Sequence, residues 1–202
     1  MKQDYIKSAI EDHIKVVSNL DIYKIIEVGK LIVHTLKNNG KIILFGNGGS
    51  ASDSEHIAAE FVGHFKKNRS SLSAISLVSS GPLITAIGND FGFDNIFSRQ
   101  ISGIAFRKDI CIGISTSGKS KNVLIGLKEA KRLGCKTVLM SGINPELTDG
   151  IYNVIIKVPS TTTSRIQEAH ILIGHILCDY VETYFYLATK IEIEKEYHPI
   201  FL

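Results

Sequence analysis

Apolar residues near the start of the chain recur at helical spacing. Ile6, Ile10, Ile14 and Val17 fall three or four positions apart, which predicts helix over residues 3–38. From Asp21 to Leu36 the apolar content rises until little polar face remains. A helix apolar on most sides needs more cover than one sheet face gives, so a partner subunit is expected over this stretch.

After residue 38 the pattern changes to short apolar runs separated by helical stretches. "KIILF" (41–45), "LSAISLV" (72–78), "DICIGIS" (109–115), "KTVLM" (136–140) and "YNVIIKV" (152–158) read as five strands. Helical patterns follow to about Phe65, Ile101 and Leu133, and a last long helix is expected from about Thr163 to Ala188. Strands that are nearly continuous apolar runs, alternating with helices, indicate a parallel sheet covered on both faces. No linker divides the chain. The reading is one α/β domain: N-terminal helices over residues 1–38, a core over 39–188, and a charged extension, "KIEIEKEYHPIFL", over 189–202.

Composition narrows the classes. A chain of 202 residues that is 44% hydrophobic and 21% charged has enough apolar content for a full-sized core. Its net charge of +3 is mild and its 23 Lys and Arg are spread along the whole length, which argues against a nucleic-acid partner. The charged, amphipathic start does not read as a signal peptide, and no run approaches the roughly 18 apolar residues of a membrane span. Cys111, Cys135 and Cys178 are odd in number and form no C-x-x-C, so reduced, buried thiols in a cytoplasmic protein are expected.

In such a sheet, ligands bind at the carboxyl ends of the strands, and two Gly/Ser turns fall there. The second, "GISTSGKS" (113–120), spells out the phosphate loop of nucleoside triphosphatases. Two features speak against that function. Gly113 belongs to the apolar run, leaving only "TSGKS" as the turn, and no other strand ends in the Asp that would help hold magnesium. The first turn, "GNGGSAS", fits part of a dinucleotide fingerprint, but Val78-Ser79-Ser80 carries no acid where the ribose would need one. What remains is a grip on a single phosphate. Ser115, Thr116, Ser117 and Ser120 place four hydroxyls within six residues at a helix N-terminus, more than ordinary capping requires.

Candidate chemistry lies on two helices. His56 and Glu60 are four apart on one helix face, where the plain reading is a surface contact, although Ala58, Ala59 and Phe61 point to a buried helix. Gln167 and His175 share the last helix, and among Ile173, Ile176 and Leu177 a satisfied core histidine is the plain reading of His175. Two helices that each offer an imidazole and an oxygen-bearing side chain also suit a metal: imidazole and carboxylate suit zinc, whereas an amide oxygen is a less usual ligand.

Taken in order, "FGNGGSASDSEHIAAEFVGHF", "AIGNDFGFDNIFSRQ", "GISTSGKSKNV" and "RIQEAHILIGHILCDYVE" resemble the phosphoheptose isomerases of the sugar isomerase (SIS) superfamily, over residues 5 to 187. The resemblance implies a three-layer αβα sandwich, the SIS fold, and a homotetramer. It implies conversion of D-sedoheptulose 7-phosphate to D-glycero-D-manno-heptose 7-phosphate, the first step towards the heptose of lipopolysaccharide, capsule or S-layer glycans. Carried over by position, Ser115, Thr116, Ser117 and Ser120 hold the phosphate, while Asn47, Gly48, Gly49, Asn89 and Asp90 hold the sugar. Glu60 and His175 are the implied acid–base pair. His56, Glu60, Gln167 and His175 are the implied ligands of one zinc per subunit, with Glu60 and Gln167 also facing substrate. Lys119 stands where the family commonly has Asn, and Ser164 where some members carry Asp. Two rivals share the fold: a non-catalytic tetrameric scaffold that binds the replication initiator, and an isomerase or regulator for another phosphosugar. The scaffold lacks counterparts of Glu60 and His175.

Overall fold

The structure, a computed structural model, describes residues 2–146 and 150–197. Five strands form one sheet: β1 (Ile42–Gly46), β2 (Ala74–Ser76), β3 (Ile110–Ser115), β4 (Lys136–Ser141) and β5 (Val154–Lys157). They lie in the order β2-β1-β3-β4-β5, and every neighbouring pair is parallel. All residues of β1 and β3 are buried, which is why both read as unbroken apolar runs rather than alternating ones.

The sheet separates two cores, and β1 shows how its pleat assigns them. Ile42 and Leu44 enter the core beneath α1 (Lys2–Ser18), α2 (Ile22–Lys37), α3 (Gly49–Val62) and α7 (Thr163–Tyr197). Ile43 and Phe45 enter the opposite core beneath α4 (Gly81–Phe91), α5 (Ser98–Ile104) and α6 (Lys121–Arg132). There Phe45 meets Phe97 with ring centroids 5.1 Å apart, both rings fully buried. Each such ring contributes about 1.5–3 kcal/mol through burial. The result is the expected αβα sandwich.

Four details depart from the sequence reading. The helix expected over residues 3–38 is two helices, because Asp21 caps α2 by accepting a hydrogen bond from the Lys24 N–H at 3.1 Å. The apolar face of α2 is spent within the chain, burying Ile25, Val28, Ile32 and Val33. The uncovered apolar surface is on α1 and the start of α2: Ile6, Ile10 and Ile14 lie exposed in a stripe, and Ile22 and Tyr23 beside the break are exposed too. Strand β2 has only three paired residues because it is an edge strand with one neighbour; single bonds from Ile42 N–H to Ser73 and from Leu77 N–H to Leu44 bracket it. Finally, α7 continues to Tyr197, so the charged extension is helix as far as that residue, and its apolar tip lies outside the described residues.

The strand order has one reversal. The chain leaves β1 through α3 towards β2 on one side, and β3 returns to the other side of β1. The loops after β1 and β3 therefore lie at the switch point, the place where ligands bind in doubly wound sheets.

Candidate active site

Both Gly/Ser turns lie at this switch point. After β1 come Asn47 and Gly48, and Gly49 opens α3. After β3 come Thr116 to Lys119, with Ser120 at the N-cap position of α6. The turns are tied together by a residue that the sequence reading missed. Asn122, buried on the first turn of α6, exchanges two amide hydrogen bonds with Asn47, at 2.8 and 2.9 Å. The Asn122 carbonyl oxygen also accepts from the Val123 N–H. An Asn one residue inside a helix carries no distinct sequence signal.

Gly113 sits within β3, opposite Phe45 of β1, so the turn is indeed shorter than a nucleotide phosphate loop. Ser120 occupies the cap position yet makes no capping bond. Its hydroxyl lies 2.8 Å from that of Ser115, and the Ser117 hydroxyl lies 3.4 Å from Ser115. Ser117 accepts from the Lys119 N–H at 3.1 Å. The Ser117 and Ser120 hydroxyls therefore gather on buried Ser115 rather than saturating the helix end. A cleft of about 170 Å³ opens beside them, lined in part by Thr116, Ser117 and the exposed Lys119.

The second constellation comes from α3 and α7. The two helices approach closely at Gly174, where a methyl group would stand 2.5 Å from the Cδ1 of buried Ile57. That contact brings His175, the next residue, across to α3. His56 Nε2 lies 3.0 Å from His175 Nε2 and 3.4 Å from Glu60 Oε1. The Phe65 ring stacks on His175, with centroids 5.3 Å apart and 27° between planes. One turn into α7, the Gln167 amide packs against Gly49, where an added methyl would stand 2.2 Å from its nitrogen. Gln167 thus reaches the first turn, and His175 reaches the His56/Glu60 face.

The helix carrying His56 and Glu60 is less buried than Ala58, Ala59 and Phe61 implied. Only Ser50, Ser54, Ile57, Ala58 and Phe61 are buried, and Ala59 is exposed. The Glu60 side chain is 25% exposed and that of His56 49%, so this face is open in the single chain. His175 is likewise no sealed core residue, since its ring nitrogen faces His56. Asn89 and Asp90 lie exposed near the end of α4, with Asn89 donating to Asp90 at 2.9 Å, and form no hydrogen bond to either constellation. Among the described residues, no group of three or more His, Cys, Asp or Glu is set up as a ready metal cage. Clefts of about 500 Å³ beside Arg165 and about 450 Å³ beside Lys41 contain none of the expected site residues.

Asp53 also lies on this face of α3, one turn before His56. Its Oδ2 is buried without a hydrogen-bond partner. Burial pushes its carboxyl up to about 6, against a smaller opposing pull from His56. Within "GGSASDSEH" nothing marked Asp53 apart from its neighbours.

The architecture and these two turns define a class, and sequence comparison agrees: residues 4–142 match the SIS domain family. A phosphoheptose isomerase of Nitratiruptor is 52% identical over 155 residues, 77% of this chain and 83% of that protein. One from Aquifex aeolicus is 48% identical over 159 residues, 79% of this chain and 83% of that protein. The solved phosphoheptose isomerase of Francisella tularensis superposes with a TM-score of 0.86 at 34% identity, covering 91% of this chain and 99% of that one. That of Neisseria gonorrhoeae gives 0.83 at 33%, covering 91% and 100%. The chain belongs to the phosphoheptose isomerase family.

Proposed function

We propose that this protein is an aldose–ketose isomerase converting D-sedoheptulose 7-phosphate to D-glycero-D-manno-heptose 7-phosphate, an early step in making heptose for surface glycans such as lipopolysaccharide or capsule. One observation carries the reading beyond the family name: Glu60, His56 and His175, from two different helices, meet within hydrogen-bonding distances at an open face.

The chemistry asks for that arrangement. Ketose becomes aldose when a proton leaves C1, an enediolate forms, and a proton returns at C2, while the hydroxyl proton passes from O1 to O2. A carboxylate and an imidazole at neutral pH can perform these transfers, and positioned groups of this kind contribute about 10²–10⁴-fold in rate. Glu60 and His175 take these roles. The hydroxyls of Ser115, Thr116, Ser117 and Ser120 bind the 7-phosphate at the N-terminus of α6, with the helix dipole in support. Asn47, Gly48, Gly49 and Gln167 line the path of the sugar. Asn89 and Asp90 are assigned to the sugar by the family resemblance alone, since in the single chain they bond to neither turn.

The donor set fits a zinc ion. Two imidazole Nε2 atoms facing one another at 3.0 Å cannot both carry protons, and ligands on one tetrahedral zinc lie about 3.4 Å apart. His56, Glu60, Gln167 and His175 would hold the metal, and when bound it would supply Lewis-acid stabilisation of enediolate charge. The exposed stripe Ile6, Ile10 and Ile14 supports assembly into the homotetramer. The buried, unpaired cysteines Cys111, Cys135 and Cys178 accord with a cytoplasmic site of action. Among the described residues no helix is long and apolar enough to cross a membrane.

A coupled assay of sedoheptulose 7-phosphate turnover, with and without chelator and zinc added back, tests the reading. Turnover that falls on chelation and returns with zinc is expected. Absence of turnover in zinc-replete protein would overturn the isomerase assignment, and full activity after exhaustive chelation would overturn the metal.

A further inference from the structure

The proposed chemistry makes no use of a buried ion pair between the segment after α3 and α7. The side chains of Arg69 and Glu182 are 5% and 0% exposed, and Arg69 Nε faces the Glu182 carboxylate at 3.4 Å. Arg69 lies in the segment between α3 and β2, and Glu182 lies on α7 seven residues beyond His175, about 20° away around the helix.

Where this pair directs its hydrogen bonds matters more than the pair itself. Arg69 donates through Nη2 to the backbone carbonyl of Glu60 at 2.9 Å. Through Nη1 it donates to the carbonyls of Phe61 at 2.9 Å, Gly63 at 3.2 Å and Ser70 at 3.0 Å. A helix leaves its last four carbonyls unpaired, and the guanidinium takes those at the end of α3 while its charge complements the negative end of the dipole. Glu182 accepts from the N–H groups of Phe65 at 2.9 Å and Lys66 at 2.7 Å. Burial pushes its carboxyl up, but these N–H groups and the Arg69 charge together hold it below the ordinary carboxylate range. Phe65, fixed by Glu182, is the ring that stacks on His175. One charge pair therefore grips the backbone of Glu60 on α3 and, through Phe65, the imidazole of His175 on α7.

We propose that Arg69, Glu182 and Phe65 are positioning residues for the isomerisation, fixing the separation and angle between Glu60 and His175. A purely stabilising pair could be exchanged for uncharged side chains at little cost in turnover, since buried ion pairs often contribute no net stability. Here the contacts go to the residue carrying the base and to the ring packed on its partner. This inference rests on the isomerase reading for its kinetic arm alone.

The test uses full-length zinc-replete protein, as wild type, Arg69→Met/Glu182→Gln and Phe65→Leu. Removing both charges together avoids leaving one buried and unpaired. Circular dichroism and urea unfolding establish the fold, and steady-state kinetics with sedoheptulose 7-phosphate separate kcat from KM. NMR of the His175 ring protons, assigned by their loss in His175→Gln, reports the stacked Phe65 without any turnover. The expected result is a kcat lowered about tenfold or more in the double variant, with KM within about threefold, because misplacement acts on the transition state. The His175 ring signals should move in both variants, and Phe65→Leu should lower kcat in the same direction with its unfolding midpoint unchanged. An unchanged kcat in folded Phe65→Leu and double-variant protein, or His175 signals that stay in place, would overturn the proposal. If the wild type does not turn over this sugar phosphate, the isomerase reading falls and the His175 signals alone decide positioning.

Discussion

His170 offers a sharp test of the packing beneath the site. It is fully buried on α7, and neither ring nitrogen has a hydrogen-bond partner. Burial pushes its imidazole down from 6.5 to about 4, and the nearby Ser141 backbone opposes only part of this. The folded protein therefore resists a proton that the unfolded chain accepts. Between pH 6.5 and pH 4 the unfolded state binds more protons, so stability present above pH 6.5 is lost as pH falls. At 1.36 kcal/mol per pKa unit the loss reaches about 2 kcal/mol by pH 5 and about 3 kcal/mol in the limit. His170→Leu removes the titrating group at similar volume and abolishes two unpartnered polar atoms, so its stability at pH 7.5 should change little. Urea unfolding at pH 7.5, 6 and 5, at one fixed protein concentration so that assembly contributes equally, should show the wild type losing about 2 kcal/mol more than the variant. Equal losses in the two proteins would show that His170 is protonated in the fold, or that its surroundings are wetter than the packing shows.

Much of this arrangement was legible in the sequence, for reasons that differ by element. The five strands stood out because β1 and β3 are buried on both faces, and burial on both faces writes a continuous apolar run. The hydroxyl loop stood out because four Ser and Thr within six residues exceed what capping needs; Ser120, at the cap position, makes no capping bond. The break between α1 and α2 was not read, since Asp21 marks it with a single cap inside an otherwise unbroken apolar rhythm. Nor was the change in role of α2, because periodicity reveals that a helix is apolar but not which neighbour covers it. Asn122, Arg69 and Glu182 were missed for one shared reason. Their importance lies in contacts across long sequence separations, such as Glu182 holding the N–H of Phe65, 117 residues earlier. Spacing along one helix carries no trace of such contacts.

Three further outcomes follow from the site. Glu60→Gln and His175→Gln should each lower kcat by about 10²–10⁴-fold with the fold intact, as seen in steady-state assays paired with circular dichroism; near-normal turnover in Glu60→Gln would remove it as the base. Lys119→Asn should leave kcat nearly unchanged and raise KM by at most about tenfold, roughly 1.4 kcal/mol, because the exposed lysine adds charge to a loop already rich in hydroxyls; a collapse of kcat would place Lys119 in the chemistry. Gly49→Ala separates packing from function. The new methyl would stand 2.2 Å from the Gln167 amide nitrogen and 3.0 Å from its Cδ, both on a flexible side chain, so Gln167 must swing away while the backbone stays put. Gly49 opens α3 without a positive φ, and Ala favours a helix over Gly by up to about 1 kcal/mol, so stability should hold or rise slightly. The expected result is an unfolding midpoint at or above that of wild type, together with weaker zinc retention on dialysis and kcat lowered about tenfold or more, the cost of a misplaced ligand. Wild-type zinc retention and turnover in this variant would show that Gln167 neither holds the metal nor needs its place against the first turn.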